Sequence, residues 1–478
     1  MHKHIFKYEL KKMVSDRTLL ILSILLFLFT QFAVFNGSTW INFQLKNIAK
    51  IEVDQHHRFE KHIGDIQQYR AEHDFIGVDA PHNASSIGTY TMHYIVKPPH
   101  PNALFAIGQS DLYPYYSRFS AIDRFNMLIN EEIVNPINLL IGKLDFSFFI
   151  IYLLPLLIIA MTYDLLASEK ESGTFTLLRI YRPNTLQFIF SKWLIRVLWL
   201  LAILYSSIFC SMLAFSPFSM AQYDFGTLII LLMTTLYALF WFAVCFALNM
   251  FLKSALFNGI VLTMFWVFIV FLMPTVMNTV MKEHYPLPSR NEQIVKQRQI
   301  KEDTDEQQTY SQYLEKHPEY QAFKSDTVGN AIIMKWYPAY IVTKAKIDTI
   351  NDLHEADFSR ALRMQEEGLE KMSLISPSLI ATLVFNQIGR TSLSDYENFN
   401  QDFKQAQHQW RTFVYHKILS GKTFSSEDLR YQSNFMTSQN KNIPIASLLL
   451  HKAFWLLLLT VALMIWGIIQ FKKTLADE

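Results

Sequence analysis

The feature that most constrains this chain is a series of long apolar runs with almost no charged residue. One of them, Phe146 to Thr162, is just long enough as a helix, at about 1.5 Å per residue, to cross a hydrocarbon core of about 30 Å. The other runs of this kind are Thr18 to Phe35, Val197 to Phe215, Thr227 to Leu252, Phe257 to Val276 and Ile445 to Phe471. We therefore predict six transmembrane helices.

Composition supports a membrane protein and excludes some partners. Of 478 residues, 51% are hydrophobic and only 18% are charged, which is typical of several membrane spans. The formal net charge is +2 and no basic face is clustered, so we expect no nucleic-acid partner. Both cysteines, Cys210 and Cys245, lie within apolar runs, so the segments outside the membrane contain no internal disulfide.

Lys and Arg residues accumulate at alternate ends of the predicted helices. They occur in residues 1–17, after the second helix, at Lys253 and at Lys472 and Lys473. By the positive-inside rule, both termini face the cytoplasm, and we expect a multi-pass protein of the inner membrane. Residues 1–17 alternate apolar side chains with lysines, which predicts a helix lying in the membrane interface. The following apolar run is longer than a signal-peptide core, so we expect an uncleaved first span.

Two long polar insertions then face the extracytoplasmic side. In the first, apolar residues recur every three or four positions from Gln44 to Glu72, which indicates a helix, and Gly, Pro and Asn punctuate Gly77 to Pro114, which indicates turns and short strands. The second is highly charged early and predicts long helices without strands.

The predicted fold class is therefore a mainly α polytopic membrane protein, with an α+β first insertion and a mostly helical second one. The expected divisions are 1–35 (interfacial helix and first span), 36–145 (first insertion), 146–277 (second to fifth spans, with a cytoplasmic elbow at 163–192), 278–444 (second insertion) and 445–478 (sixth span and tail).

Two apolar patches interrupt the second insertion. Ala331 to Val342 and Ser373 to Gly389 are too short or too interrupted to span a membrane. They are expected either to pack in the core of the insertion or to rest as helices on the outer leaflet.

The first insertion is rich in histidine. The chain has no H-E-x-x-H helix and no Cys/His finger spacing, so the sequence favours scattered surface histidines and leaves a metal or pH-sensing role open. These residues are His56, His57, His62, His73, His82, His93 and His100.

A charged elbow follows the second span, and its order of residues is D-x-x-x-x-E-K-E-x-G-T, starting at Asp164. An amphipathic run with Pro183 and Lys192 comes next. The elbow, together with the upstream stretches Pro101 to Phe119 and Asn135 to Asp145, resembles the ABC-2 type permeases, in particular a subgroup with large extracytoplasmic insertions.

That resemblance implies that the elbow forms short coupling helices against a separate cytoplasmic ATPase. We expect Glu169 and Glu171 to make polar contacts with it, Asp164 to orient the helix at the membrane boundary, Gly173 to allow the turn and Thr174 to cap the next helix. The alternative is that these residues merely solvate a tight turn. The expected coupling residues are Asp164, Glu169, Lys170, Glu171, Gly173, Thr174 and Arg179.

No catalytic constellation is present in the sequence. Gly421-Lys422-Thr423 ends like a phosphate-binding loop, but His416 occupies the position of its first glycine, so this chain is not the ATPase. We expect no catalytic, cofactor or metal residues, with ATP and Mg²⁺ bound by the partner ATPase. The middles of the spans lack ionisable residues, which argues against a proton- or sodium-coupled carrier.

The predicted function is the permease subunit of an ATP-driven exporter, which moves or extracts a substrate across the inner membrane. A mechanotransmission complex that reshapes a periplasmic partner without passing a substrate, as in transporters that mature copper enzymes, is the alternative. A mere membrane anchor for the insertions is a third possibility. The expected partners are cytoplasmic ATPase subunits, membrane lipid, a second copy or a related permease, and a periplasmic protein.

Overall fold

The computed structural model describes residues 9–11, 13–72, 77, 80–108, 110–111, 113–124, 144–175, 185–287, 289–320, 327–328, 331–332, 336–420, 422–428, 436–438 and 445–477. Within these residues the chain is mainly helical, and six helices are long and apolar enough to cross a membrane. They are Arg17–Glu72, Phe146–Glu171, Thr185–Phe215, Phe225–Asn249, Ala255–His284 and Leu450–Thr474, called spans 1 to 6 below. The predicted polytopic, mainly α fold class is confirmed.

Two of these spans are composed of several helical segments. Span 2 comprises Phe146–Phe148, a π-helical segment Phe149–Leu153, Leu154–Thr162 and the short elbow helix Ala167–Glu171. Span 5 comprises Ala255–Val267, a π-helical segment Phe268–Leu272 and Met273–His284. Span 6 belongs to the helix Ile445–Asp477.

Span 1 continues into the first insertion as one helix of 56 residues, Arg17–Glu72. The predicted helix from Gln44 to Glu72 is confirmed, and it is continuous with span 1. Gly37 and Ser38 stay helical because the outer segments close around them: a Cβ on Gly37 would meet the carbonyl oxygen of Leu104, and the Ser38 hydroxyl donates to the carbonyl of Phe215. The helix therefore rises, at about 1.5 Å per residue, far beyond the thickness of a bilayer.

The two insertions contribute the remaining elements. The helices are α1 (Ala84–Tyr90), α2 (Arg290–Asp303), α3 (Glu306–Lys316), α4 (Tyr337–Met372), α5 (Pro377–Gly389) and α6 (Leu393–Leu419), with short 3₁₀ turns at Pro101–Leu104, Met220–Gln222 and Ser373–Ile375. The strands are β1 (His93–Val96), β2 (Tyr116–Phe119), β3 (Thr327–Val328), β4 (Ala331–Ile332) and β5 (Met436–Thr437). The prediction that the second insertion lacks strands is wrong, because β3, β4 and β5 belong to it.

Both insertions share one sheet and one core. β1 pairs antiparallel with β2 of the first insertion and parallel with β5 of the second, with Ile95 opposite Met436. The core beneath combines side chains from both, including Phe59 and Phe119 from the first and Trp410 from the second, all at most 3% exposed. We call this combined unit the insertion domain.

The two apolar patches have different positions. Tyr337 and Ile341, at the end of the first patch, are buried in the insertion-domain core, as the core-packing interpretation expected. Helix α5, formed by the second patch, instead packs between the spans: Val384 and Phe385 are fully buried in the same cluster as Phe146 of span 2. The sequence predicted that this patch lies either in the core of the insertion or on the outer leaflet, and neither is the position of α5. The helix is apolar because it completes the core of the spans.

Candidate functional site

The elbow presents an exposed tip at the junction of spans 2 and 3. Its helix, Ala167–Glu171, ends at Gly173, which has φ of +75°, a conformation in which glycine carries no steric penalty. Lys170 and the residues from there to Thr174 are solvent-exposed, whereas Ala167 is buried. The turn that the sequence assigned to Gly173 thus occurs at that residue, and it projects the charged tip away from the spans.

Glu169 fixes the elbow to span 3. Its Oε1 lies 2.8 Å from Nζ of Lys192, whose side chain is only 1% exposed, and its Oε2 accepts a hydrogen bond from the Thr174 hydroxyl. Thr174 also donates to the Glu169 carbonyl oxygen at 3.1 Å, so its hydroxyl closes the preceding helix. Removing either partner of so buried a pair is costly, because the other charge is left without compensation.

Asp164 makes a second link to span 3. Nη1 of Arg196 lies 3.3 Å from Oδ1 of Asp164 and also donates to the carbonyl of Met161. Arg196 follows Lys192 by four residues, so both cations lie on one face of span 3 and face the elbow. From the sequence, these two residues were interpreted only as indicators of topology. Their i, i+4 spacing, with two acids in the elbow, was the signal that could have indicated the ion pairs.

Glu171 connects the elbow to span 5. Its Oε1 accepts a hydrogen bond of 2.9 Å from the backbone N–H of Ala255, the first residue of that span, and thereby satisfies one of the unpaired amides of the helix start. Two buried amides tie the same region together: Asn249 donates to the Thr162 carbonyl at 3.1 Å and Asn258 donates to the Tyr163 carbonyl at 3.2 Å. The elbow is therefore joined to spans 3, 4 and 5. Arg179 lies outside the described residues.

A seven-residue repeat underlies the two π-helical segments. Span 2 reads F-I-I-Y-L-L-P from Phe149 to Pro155, and span 5 reads F-I-V-F-L-M-P from Phe268 to Pro274. In both, the π-helical turn ends two residues before the proline. Proline cannot donate a hydrogen bond and crowds the preceding turn, and widening that turn relieves the conflict. This repeat was not predicted, although the amino-acid sequence alone contains it.

Side chains from other helices donate hydrogen bonds to backbone carbonyls of both π-helical segments. The Tyr237 hydroxyl of span 4 donates to the Ile151 carbonyl at 3.0 Å, and the Trp266 indole N–H donates to the Tyr152 carbonyl at 3.1 Å. In span 5, the Ser378 hydroxyl of α5 donates to the Ile269 carbonyl at 2.8 Å. Spans 2 and 5 are thus joined to each other and, through α5, to the insertion domain.

The loop of the first insertion that begins at Pro101 makes hydrogen bonds to the spans at the end opposite the elbow. The Asn102 side chain donates to Asp224 at 2.7 Å and accepts from the Thr227 hydroxyl at 2.7 Å. Asp145, at the start of span 2, accepts a hydrogen bond of 2.7 Å from the backbone N–H of Ile107. These contacts connect spans 2 and 4 through one loop of the insertion domain.

The histidines do not form a metal centre within the described part of the chain. No group of three or more His, Cys, Asp or Glu side chains there could hold a metal ion. The prediction of surface histidines holds for His56 and His57, which are exposed, and fails for His82 and His93, which are 2% and 0% exposed. Burial lowers the pKa of His93 to about 3, so this ring is neutral and serves as an aromatic core residue.

Six long apolar helices, a charged elbow between spans 2 and 3 and a large folded insertion domain define a polytopic membrane protein. A family model described as "ABC-2 family transporter protein" matches residues 4–474. The chain therefore belongs to the ABC-2 transporter family and is a membrane permease subunit of an ABC transporter. Permeases of this family are non-catalytic membrane components and generally partner with a cytoplasmic ABC ATPase. No curated protein and no solved structure matched the chain.

Proposed function

We propose that this permease couples a separate cytoplasmic ATPase, through the elbow, to the export of an apolar substrate or its extraction across the inner membrane. The observation that supports this most is that an exposed, charged tip is joined by Glu169 to span 3 and by Glu171 to span 5. Both termini and the elbow lie in the cytoplasm in this proposal, and the insertion domain lies on the other side. ATP and Mg²⁺ are bound by the ATPase, and this chain holds no cofactor.

The contacts of the elbow residues indicate which of them bind the ATPase and which hold the elbow against the spans. The exposed tip from Lys170 to Thr174 docks on the ATPase, with Glu171 at the junction between the tip and span 5. Glu169 and Asp164 keep the elbow helix in register with span 3, because their partners Lys192 and Arg196 are almost completely buried. A displacement of the tip is therefore carried directly into the spans.

The path continues through the π-helical segments. A π-helical turn is a place where a helix bends or shifts register at low cost, and here one is present in span 2 and another in span 5. Movement of the elbow tilts spans 2 and 5 about these turns, and span 1 tilts with them, which opens a path for the substrate. The permease works as a pair, with a second copy or a related permease, since one set of six spans does not enclose a path in this family.

Gly173 provides a sharp test of the elbow. Gly173→Ala adds a methyl group that meets no atom within 4 Å but must adopt φ of +75°, which costs about 1–2 kcal/mol for a residue with a Cβ. We expect the variant to reorient the tip and to lower the permease-stimulated ATP hydrolysis of the purified complex several-fold.

Gly64→Ala is the matched control for that test, because a methyl group on Gly64 also meets nothing within 4 Å but lies in a regular helix of the insertion domain. It is expected to leave ATP hydrolysis unchanged and to stabilise the helix slightly. Equal activity of the Gly173→Ala complex, the control and the wild type would contradict the role of the elbow.

Mechanotransmission is the second candidate, and one observation favours it. The helix Arg17–Glu72 runs without a break from span 1 into the insertion domain, and the Ser378 hydroxyl links α5 to span 5. Movement of the spans would thus reach a periplasmic partner even without a cargo. ATP hydrolysis by the complex in vesicles separates the two: stimulation by an apolar cargo supports export, and stimulation only by a partner of the insertion domain supports mechanotransmission.

A further inference from the structure

A groove crosses the insertion domain between α3 and α4, with one residue of α6 at its floor. Its volume is about 320 Å³, which lies within the range of small-molecule sites. Helix α3 contributes Thr309, Gln312, Tyr313 and Lys316, helix α4 contributes Val342, Ala345, Lys346 and Thr349, and α6 contributes Tyr415.

The residue types along this groove are unusual for two packed helices. On each helix the lining positions follow the i, i+3, i+4, i+7 spacing, which is the face that is ordinarily apolar where helices meet. Only Val342 and Ala345 are aliphatic here, and the rest carry hydroxyl, amide or ammonium groups. The facing sides therefore leave an open, polar space.

The lining of the groove contains two lysines and no acidic side chain. Among the described residues, neither Lys316 nor Lys346 has a carboxylate oxygen within 4.0 Å. Lys346 donates only to the Thr309 hydroxyl, at 3.1 Å. By contrast, Lys344 on the same helix lies 3.1 Å from Asp123. The cations of α6, too, have carboxylate partners: Lys404, Arg411 and Lys417.

The floor adds a hydrogen-bonding group that the protein itself leaves unused. Tyr415 is 8% exposed, and its hydroxyl has no hydrogen-bond partner in the described structure. A buried polar atom of this kind is expected to have a partner. The floor of the groove thus contains a polar atom that the described structure leaves without a hydrogen-bond partner.

Most of helix α4 separates the groove from the spans. Lys346 lies about seven helical turns, or about 39 Å along the helix, before Met372 at the end of α4. That end of α4 meets span 6, because Glu370 lies 2.8 Å from Lys452. This separation along α4 favours a soluble ligand over a headgroup of the bilayer.

We propose that this groove binds a small soluble phosphate ester. Lys316 and Lys346 place two point charges beside hydroxyl and amide donors, an arrangement suited to a dianion with three acceptor oxygens. The organic part of the ester lies against Tyr313 and Val342. This site is independent of the coupling between elbow and ATPase, since it belongs to the opposite end of the molecule.

Binding of glycerol phosphate to the full chain in detergent, measured by calorimetry, tests this proposal. The variant Lys316→Gln with Lys346→Gln is expected to lower the affinity at least tenfold, about 1.4 kcal/mol. The variant Lys344→Gln with Lys371→Gln is the control, because it also removes two positive charges from the insertion domain, but outside the groove. It is expected to bind as the wild type does. Affinity is also expected to fall as the pH drops below about 6, where the phosphate becomes a monoanion.

Several results would overturn the proposal. They are no binding of glycerol phosphate to the wild-type chain, an equal loss of affinity in the control variant, or tighter binding of glycerate, the corresponding carboxylate, than of the phosphate ester. Binding of the wild-type chain, but not of the Lys316→Gln, Lys346→Gln variant, to vesicles of phosphatidylglycerol, combined with no binding of free glycerol phosphate, would assign the groove to a lipid and contradict its soluble ligand.

Discussion

His93 shows at the scale of one residue how the insertion domain depends on pH. Its ring is fully buried, lies 4.3 Å from the ring of Trp410, centroid to centroid, and has no hydrogen-bond partner for either nitrogen in the described structure. Its pKa falls from 6.5 to about 3 on burial. Because the folded pKa is depressed, His93 favours the folded state above about pH 6.5, and this contribution is lost progressively as the pH falls toward about 3.

We therefore predict that His93→Leu flattens the pH dependence of stability. Between pH 6.5 and about pH 5 the shift of His93 accounts for about 2 kcal/mol of lost stability in the wild type. The thermal unfolding midpoint, measured at about pH 7.5 and about pH 5, is expected to drop less in the variant than in the wild type. Burial also lowers the pKa of His62 and His82, so these residues maintain part of the pH dependence of stability in the variant.

His57→Leu is the control for that experiment, because His57 lies exposed on the same insertion. It is expected to retain the full pH dependence. If His93→Leu and His57→Leu lose the same stability on acidification as the wild type, the buried ring is not the source of the effect.

At this scale the sequence predicts chemical types better than partners. The acids of the elbow were identifiable because they interrupt an apolar run. Their partners Lys192 and Arg196 were interpreted only as topology signals. Their i, i+4 spacing indicates a shared helix face, but nothing local states that a lysine twenty-three residues after Glu169 will be buried against it. The burial of a histidine is still harder to predict. His93 begins a strand of only four residues, His-Tyr-Ile-Val, which is too short for a pattern that reveals burial.

The repeated F-I-x-x-L-x-P pattern makes a prediction at the scale of the element. Ser378→Ala removes the hydroxyl that occupies the Ile269 carbonyl in the π-helical segment of span 5. An unpaired carbonyl at a buried site costs about 1–3 kcal/mol. We expect faster hydrogen–deuterium exchange over Phe268–Leu272 and a lower unfolding midpoint in detergent.

Thr382→Ala provides the matched comparison, because the Thr382 hydroxyl donates only to the Ser378 carbonyl within its own helix, at 2.9 Å. It is expected to leave exchange in span 5 unchanged. Identical exchange in both variants would show that the link between α5 and span 5 is energetically unimportant.

Element boundaries were predictable wherever hydrophobicity alone decides them. The six spans were found because lipid allows only apolar, hydrogen-bonded helices. The unbroken helix Arg17–Glu72 was not, because polar residues beyond the membrane resemble a loop until a folded domain surrounds them. Helix α5 was assigned to a surface or an insertion core because its thirteen residues are too short to span, yet it packs between the spans.

At the scale of the whole molecule, two insertions that are more than a hundred residues apart in the chain fold together into one domain. Besides the shared sheet, Arg124 of the first insertion lies 2.5 Å from Asp352 of the second, and Arg411 donates to the Ala121 carbonyl at 2.8 Å. This association was not predictable, since hydrophobic periodicity shows that an element has a buried face and not which distant element covers it.

A fragment comprising residues 36–145 is consequently expected not to fold alone. Its core residues, such as Phe59 and Phe119, would lose Trp410 and the other side chains of the second insertion. Circular dichroism of this fragment is expected to show no cooperative thermal transition, and co-expression with residues 278–444 is expected to restore one. A cooperative transition of the first fragment by itself would contradict a shared core.

The most direct test of the central claim is co-purification of the permease with a cytoplasmic ABC ATPase, followed by measurement of ATP hydrolysis. The variant Glu169→Ala with Glu171→Ala removes the ties of the elbow to Lys192 and to the start of span 5. The variant Glu306→Ala with Glu315→Ala removes two exposed glutamates of the insertion domain and serves as the control.

The account predicts a stable complex for the wild type and the control, and a loss of permease-stimulated ATP hydrolysis in the elbow variant. Unchanged co-purification and unchanged ATP hydrolysis in a correctly folded elbow variant would contradict it, and would leave the elbow as a solvated turn between spans 2 and 3.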